Sequence, residues 1–252
     1  MTLIVTAISK WGIIQASDSN LTAGTLPAGA GQKVFDLPFA HGALALAGSY
    51  QVGTQRMDNW MTDFIDSFQS SPPSLEQFAH ELSARLSKEL TYNQKQGMTL
   101  MHLAGYGKGQ DGIHPEFYFV RNIRGIDQTG SYIGPGTDTC DVSEDFWTRD
   151  YLAPATRSAL ETGGWQGYFN GFPEGRIAYL GFSQMFTGFL GQAWSNPQWK
   201  FRAPKSLEEV AAIVELEIKA VEIMFRSSDY PALYIGGEVQ LRQLAPPGPL
   251  VI

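Results

Sequence analysis

The chain has 252 residues, of which 43% are hydrophobic and 17% are charged, so it carries enough apolar sequence for a sizeable buried core. Its formal net charge is −7 and its 18 basic residues are scattered, which argues against a surface for nucleic acid. No run of 18 apolar residues occurs and no secretory signal precedes the first strand, so we expect no membrane contact and a cytoplasmic location. A single cysteine, Cys140, excludes an internal disulfide and fits a reducing compartment.

The N-terminal part of the chain begins with β-rich runs. LIVTAIS and IIQAS, joined by the turn KWG, predict two adjacent strands. KVFDL and ALALAGS predict two more strands after the polar, Gly-rich loop LTAGTLPAGAGQ. We therefore expect four short strands before the first helix.

Two helices are predicted next. Apolar residues at helical spacing mark a helix over residues 49–69, which the sequence SPPS at residues 71–74 ends. A second amphipathic helix is expected over residues 75–92, with Ser74 as its N-cap and Glu76 and Gln77 in its first turn. Strands are predicted again at MTLMHLAGY, EFYFV and GSYIG.

The C-terminal part is less regular. Residues 138–201 are rich in aromatic residues and glycine and show no clear pattern, except that residues 176–194 predict a largely buried helix. SLEEVAAIVELEIKAVEIMF predicts a long helix with Ser206 as N-cap and with Glu208 and Glu209 in its first turn. GEVQLRQL alternates as a last strand, and a proline-rich tail over about residues 244–252 predicts a loop or an arm.

The order of these elements predicts the fold class. Strands, two helices, strands, helices and a final strand follow one another without internal repeats, and without the strand–helix alternation that a parallel sheet requires. We therefore expect an α+β fold in which two mostly antiparallel sheets pack face to face with helices outside, all within one domain over residues 1–252.

The N-terminus suggests chemistry. If Met1 is removed, Thr2 carries a hydroxyl and a free α-amine, whose pKa near 7.7–8.0 suits a general base for a weak hydroxyl nucleophile. A lysine ammonium nearby would favour the neutral amine, and a carboxylate would hold that lysine in place. Asp18 ends IIQAS and Lys33 begins KVFDL, so both could converge on Thr2, while the amide of Gly48 could stabilise an oxyanion.

These residues carry a resemblance to a known family. The pattern consists of Thr2 and Val5, the turn glycine, Asp18-Ser19, K-V-F and then A-L-A-G before a helix. It resembles the proteasome β-subunit superfamily of N-terminal nucleophile (Ntn) hydrolases, including bacterial HslV-type and Anbu-type peptidases. The resemblance implies a four-layer αββα sandwich. Thr2 would be the nucleophile, Asp18 and Lys33 would support it, and the Gly48 N–H would form the oxyanion hole. It also implies supporting roles for Ser19 and Asp229.

The chain departs from the family pattern at three places. Lys33 arrives one residue early, so the preceding loop must be shorter. Asp229 is followed by the longer linker YPALYI before Gly236-Gly237, and the serine usual there is missing. Gly134-Pro135-Gly136 stands where the family tends to have Gly-Ser-Gly. The resemblance therefore does not extend to the two serine hydroxyls that would assist the N-terminal amine.

The resemblance also implies a function. It implies a threonine-type endopeptidase that cleaves peptides or unfolded proteins without a cofactor, associates with itself into a ring or spiral, and has a possible ATPase partner. Two alternatives stay open: an inactive structural or assembly subunit of the same fold, and a small-molecule N-acyl amidase of the Ntn class. A Ser-His-Asp triad lacks the supporting G-x-S-x-G motif.

Cysteine, histidine and aromatic side chains elsewhere in the chain give weaker indications of function. Cys140 is interpreted as structural, and no metal site is expected because four histidines show no ligand spacing: His41, His80, His102 and His114. An aromatic group belongs either to the core or to a substrate or subunit contact: Trp147, Trp165, Tyr168, Phe169 and Phe172.

Overall fold

The computed structural model describes residues 2–109, 112–127, 131–134, 136–148, 151–162, 164–231 and 233–250. It combines antiparallel sheets with helices, which confirms the α+β class. The strands are β1 (Leu3–Ser9), β2 (Gly12–Asp18), β3 (Asn20–Ala23), β4 (Leu26–Ala30), β5 (Val34–Leu37), β6 (Gly42–Gly48), β7 (Gln51–Val52), β8 (Gln55–Arg56), β9 (Thr99–Lys108), β10 (Ile113–Arg121), β11 (Gly125–Ile126), β12 (Tyr132–Ile133), β13 (Asp141–Thr148), β14 (Tyr151–Leu152), β15 (Trp165–Gly171) and β16 (Val239–Leu244). The helices are α1 (Met57–Asp66), α2 (Leu75–Glu89), α3 (Tyr92–Lys95), α4 (Pro154–Thr162), α5 (Pro173–Ser195) and α6 (Leu207–Arg226), with a 3-10 turn at Pro38–Ala40.

Two larger sheets contain most of the strands. One has the order β15-β1-β2-β16, the other has the order β14-β13-β10-β9-β6-β5, and every strand pair in them is antiparallel. In the first sheet Ile4 pairs with Ser17, so the end of β2 lies beside the start of β1. This hairpin register brings Asp18 opposite Leu3, the first residue of β1, whose amide it binds.

Alternate residues of the central strands face different layers, because successive side chains of a strand point to opposite faces. In β1, Leu3 and Val5 pack in a cluster with α6, whereas Ile4 packs with Ala45 and Leu100 of the six-stranded sheet. The other face of the six-stranded sheet packs on α1 and α2. The two sheets therefore share an apolar core, and each also packs against helices.

Helix α1 is shorter than predicted. The prediction of a helix from residue 49 is wrong, since residues 51–56 form the hairpin β7–β8 and the Met57 amide donates to Tyr50 O at 3.0 Å. The helix ends at Asp66, before the predicted end. For α2 the predicted cap is confirmed: Ser74 and Gln77 form a reciprocal capping box. That helix ends at Glu89 rather than at residue 92, because Leu90 is extended and a separate turn, α3, follows.

Two further predictions about local structure need correction. The Gly-rich segment predicted as a loop contains the hairpin β3–β4, so more than four strands precede the first α-helix. Helix α5 occurs where a helix was predicted, but it is not largely buried: Met185 is 65% exposed and Phe189 is 50% exposed. A helix that is apolar all round is normally buried, which is why the sequence of α5 predicts burial.

The C-terminal elements match the sequence more closely. Ser206 caps α6 by accepting a hydrogen bond from the Glu209 amide at 3.3 Å, as predicted. β16 follows, and the tail returns to the body of the protein, where Leu250 bridges to Ile113. Within the described residues, no helix is both long and apolar enough to cross a bilayer. The single domain stays a prediction.

Candidate functional site

A buried ion pair lies where β2 ends and β5 begins. The Lys33 ammonium is 3.3 Å from the Asp18 carboxylate, and both side chains are at most 1% exposed. Lys33 Nζ also donates to the backbone carbonyl of Asn20 at 2.5 Å. The two residues that the sequence placed at neighbouring strand ends are therefore in direct contact.

The Asp18 carboxylate also accepts hydrogen bonds from backbone amides. Its Oδ1 accepts from the Leu3 amide at 2.9 Å, and its Oδ2 accepts from the amides of Asn20 and Gly236, each at 3.2 Å. Gly236 belongs to the Gly-Gly pair that the sequence placed before the last strand. One carboxylate therefore connects the start of β1, the β2–β3 link and the segment before β16.

Burial shifts the pKa values of both charged groups, because a low-dielectric interior disfavours charge. Burial raises the pKa of Asp18 from its ordinary value, and the charge of Lys33 with the amides of Leu3 and Gly236 opposes that rise. Burial lowers the pKa of Lys33, and the charge of Asp18 opposes that fall. For each group burial is the larger effect, and the charge of the partner is the strongest effect that opposes it.

Thr2 is 4% exposed, and backbone hydrogen bonds fix its position. Its carbonyl accepts from the Phe172 amide at 2.8 Å, and the next amide, that of Leu3, donates to Asp18. Gly171 has φ +138°, and a Cβ there would lie 2.0 Å from the Thr2 carbonyl oxygen. A glycine is therefore required where β15 passes Thr2.

Gly48 is the last residue of β6. It has φ +109°, and a Cβ would lie 1.9 Å from Met98 O, so a side chain is excluded. The Leu46 amide donates to Lys33 O at 2.9 Å. Because alternate amides of a strand point the same way, we expect the Gly48 amide to point to the side of Lys33.

A cavity of about 650 Å³ opens in front of these groups. Thr2 and Gly48 line it, together with Gly171 and Phe172. The walls of the cavity are mainly apolar and include Leu100. The β3–β4 hairpin contributes Thr22 and Gly24. The remaining lining residues are Ala47, Ser49, Asn93, Gln94, Gly97, Met98, Pro173 and Glu174. Thr2 and Gly48 thus share one cavity, and Asp18 binds the amide of Leu3, the residue after Thr2.

The two supporting residues predicted from the family are not at the cavity. Ser19 Oγ accepts from the Glu238 amide at 2.9 Å, so it fixes the segment before β16. Asp229 is exposed after α6 and is not among the described residues that line the cavity. Met1 and Pro135 lie outside the described residues, so the predicted loss of Met1 and the Gly-Pro-Gly departure stay untested.

Sequence reasoning missed a glutamine that positions Lys33. Gln240 of β16 accepts from the amides of Lys33 (2.6 Å) and Val34 (3.2 Å) through Oε1, and donates to Gly31 O at 2.8 Å through Nε2. Its signal in the sequence is only one polar residue in an alternating strand.

It also missed a buried polar network between the two sheets. The His102 ring is within 2.9 Å of Thr6 Oγ1 on one side and of Asn170 Nδ2 on the other, and Thr6 donates to Gln15 Oε1 at 2.9 Å. Burial lowers the pKa of His102 to about 3, so the ring is neutral near pH 7. Its signal was a histidine at an inward position of an apolar strand.

Cys140 and most of the aromatic group named in the sequence analysis belong to the core. Cys140 is buried, and burial raises the pKa of its thiol to about 11. Of the aromatic group, Trp147 is fully buried and Phe172 lines the cavity, while the others pack in or against core clusters: Trp165, Tyr168 and Phe169. Across the described ranges, His, Cys, Asp and Glu side chains form no group of three that could hold a metal ion.

The chain matches no protein-family model and no curated protein sequence. Any functional conclusion must therefore come from the residues themselves.

Proposed function

We propose that this protein is a threonine peptidase of the proteasome-like Ntn type, with Thr2 as nucleophile once Met1 is removed. The proposal includes the four-layer αββα arrangement of that superfamily, which is consistent with two packed sheets that each contact helices. It rests on residues Thr2, Asp18, Lys33 and Gly48 and on their geometry.

One observation carries the proposal: the buried Lys33–Asp18 pair, which is bonded to the amide of Leu3, the residue after Thr2. A buried ion pair is a poor way to stabilise a fold, since apolar residues of similar size often do as well or better. Buried ionisable groups beside a cavity are instead typical of functional sites. Asp18 also bonds to the Leu3 amide, so the pair is linked directly to the residue after Thr2.

The reaction would follow from these positions. Thr2 Oγ attacks a peptide carbonyl carbon while its proton passes to the Thr2 α-amine, and the Gly48 N–H donates to the carbonyl oxygen as it becomes negative. The C–N bond then breaks, the leaving amine takes the proton, and Thr2 is left as an ester. Water hydrolyses that ester and restores the hydroxyl.

Lys33 would tune this chemistry electrostatically. Its ammonium has three protons, of which the described residues accept two, at Asp18 and Asn20. A cation close to the α-amine favours the neutral, proton-accepting amine. Asp18 would then be a positioning residue, because it acts through Lys33 and the Leu3 backbone.

The deciding experiment joins N-terminal mass analysis with a covalent probe. A purified chain that begins at Thr2 and is labelled on Thr2 by a peptide epoxyketone supports the proposal. Thr2→Ala must abolish the labelling, and Thr2→Ser should retain part of it. A chain that keeps Met1, or that begins at Thr2 but resists the probe and cleaves no peptide, contradicts it.

A second candidate is a non-catalytic assembly subunit of the same fold. It is favoured by Asp229, an expected supporting group, which is exposed and is not among the described residues that line the cavity. Cleavage of short N-acyl compounds but not of peptides would instead favour the small-molecule amidase.

Partners belong to the same proposal. Self-association into a ring or spiral would bury apolar surface on helices, and a monomeric mass in solution would contradict it. An ATPase partner would deliver unfolded proteins, which a stimulation of protein cleavage by that ATPase and ATP would test. The predicted cytoplasmic location stays a prediction.

A further inference from the structure

A second cavity lies beside the first, between the start of α5 and the end of α6. It has a volume of about 400 Å³, and its lining is mainly apolar: Ile177, Ala178, Met224, Phe225, Ser228 and Tyr230, with Glu174 at one side. Ile177 is 54% exposed and Met224 is 48% exposed. Apolar side chains at this level of exposure in a concave site favour an apolar ligand group.

Glu174 connects this groove to the cavity at Thr2, because it lines both. It is two residues after Phe172, whose amide is bonded to the Thr2 carbonyl. A chain bound at Thr2 can therefore continue past Glu174 into the groove. This continuity with the candidate active site identifies an extended peptide as the occupant.

The charge around Glu174 narrows the class of peptide. Glu174 is the one charged side chain among the described residues that line either cavity, and it forms no ion pair within the described part of the chain. A carboxylate without a cation at the junction of two clefts favours a lysine or arginine of the ligand.

From this placement we infer a substrate subsite that nothing else assigns: the groove seats a large apolar side chain of the peptide, and Glu174 pairs with a basic residue next to it. The inference rests on the proposed function, since it takes the Thr2 cavity as the place of cleavage. It names the substrate class as peptides that carry a basic residue beside a large apolar one.

Binding tests this inference separately from catalysis. Fluorescence anisotropy with the Thr2→Ala protein, which cannot turn substrate over, would compare four labelled peptides that differ at two adjacent positions: Arg-Leu, Gln-Leu, Arg-Ser and Gln-Ser. We expect the Arg-Leu peptide to bind most tightly. Replacing Arg by Gln should weaken binding about threefold to fivefold, as for an exposed ion pair, and this difference should shrink at high salt.

Matched variants assign the preference to the proposed residues. Glu174→Gln should remove the preference for Arg over Gln, whereas Glu208→Gln, in the first turn of the other long helix, should not. Met224→Asn should remove the preference for Leu over Ser, whereas Ile223→Asn, its exposed neighbour outside the groove lining, should not.

The outcomes separate this inference from the proposed function. Equal binding of the four peptides, binding of none, or preferences unchanged by both groove variants would overturn the inference. Epoxyketone labelling of Thr2 in the wild-type protein alongside equal binding would leave the peptidase standing without the subsite. Selective binding without labelling would support the subsite and contradict the peptidase.

Discussion

The Tyr132 hydroxyl bonds to both backbone groups of Gly171. It donates to Gly171 O at 2.7 Å and accepts from Gly171 N at 2.8 Å, and burial raises its pKa above the ordinary value. Gly171 in turn passes within contact distance of the Thr2 carbonyl. A side chain on β12 thereby fixes the strand that holds the candidate nucleophile.

Tyr132→Phe removes this hydroxyl and leaves the ring in place. We expect a loss of about 1–2 kcal/mol in unfolding free energy, because two backbone groups of Gly171 lose their partner. If Thr2 is the nucleophile, the rate of epoxyketone labelling should also fall, while the affinity for a non-reactive peptide stays near that of the wild type. Urea unfolding and labelling kinetics measure the two effects, and unchanged labelling would mean that Tyr132 does not position Thr2.

The Asp18–Lys33 pair predicts a non-additive response. Asp18→Asn or Lys33→Met alone leaves one buried charge without its partner, so each should cost about 3–5 kcal/mol of unfolding free energy. The double variant contains neither charge and should recover part of that loss, although the asparagine offers only one accepting oxygen to the amides that Asp18 binds. Peptide cleavage by Thr2 should be abolished in all three proteins.

An exposed pair serves as the control for this cycle. Lys219 and Glu215 are 2.7 Å apart, and both side chains are more than 40% exposed. Lys219→Met should leave both stability and labelling unchanged within error. Additive losses in the Asp18–Lys33 cycle would contradict the buried coupling described above.

Gln240→Leu should loosen the segment that presents Lys33. The amides of Lys33 and Val34 lose their acceptor and Gly31 O loses its donor, which should cost about 1–2 kcal/mol. Amide hydrogen exchange should rise at residues 33 and 34 but not in the centre of β2. Gln243→Leu, at an exposed position of the same strand, is the control. Unchanged exchange in Gln240→Leu would show that the segment is held by other contacts.

His102 predicts a loss of stability in acid. Its pKa is about 3 in the folded protein and 6.5 ordinarily, so between these values the unfolded chain binds a proton that the folded protein does not. Stability should therefore fall as pH decreases from 6.5 towards 3, by a total on the order of 4 kcal/mol from this residue. Urea unfolding at several pH values measures it.

Two checks distinguish His102 from other acid-titrating groups. His102→Gln should reduce the dependence of stability on pH between 6 and 4, even if the variant is less stable at pH 7. In the wild-type protein, nitrogen-15 NMR of the ring should find it neutral at pH 5. A ring that titrates near pH 6 would contradict the buried, uncharged state.

Local signals accounted for much of the fold. The Ser74 and Ser206 caps and the hairpin formed by β1 and β2 follow from neighbouring residues, and the structure has them where the sequence indicated. The contact between Asp18 and Lys33 was also foreseeable, since both stand at ends of predicted strands. These predictions needed only short-range chemistry and strand order.

The rest depended on contacts between distant parts of the chain. Gln240 reaches Lys33 across 207 positions, and no local pattern marks that pair. The apolar composition of α5 predicted burial, but composition alone does not say which helix faces a sheet and which faces outwards. Strand β15, which pairs with β1 and holds Thr2, lies in the aromatic region that showed no periodicity.

The Asp18 carboxylate has a consequence for the order in which the protein is made. One of its hydrogen bonds comes from Gly236, 218 positions later, and Gln240, which orients the Lys33 segment, follows that glycine. A ribosome must therefore translate as far as Gln240 before the groups around Thr2 can assemble. If Thr2 cleaves peptides, the growing polypeptide carries no working protease until β16 has docked.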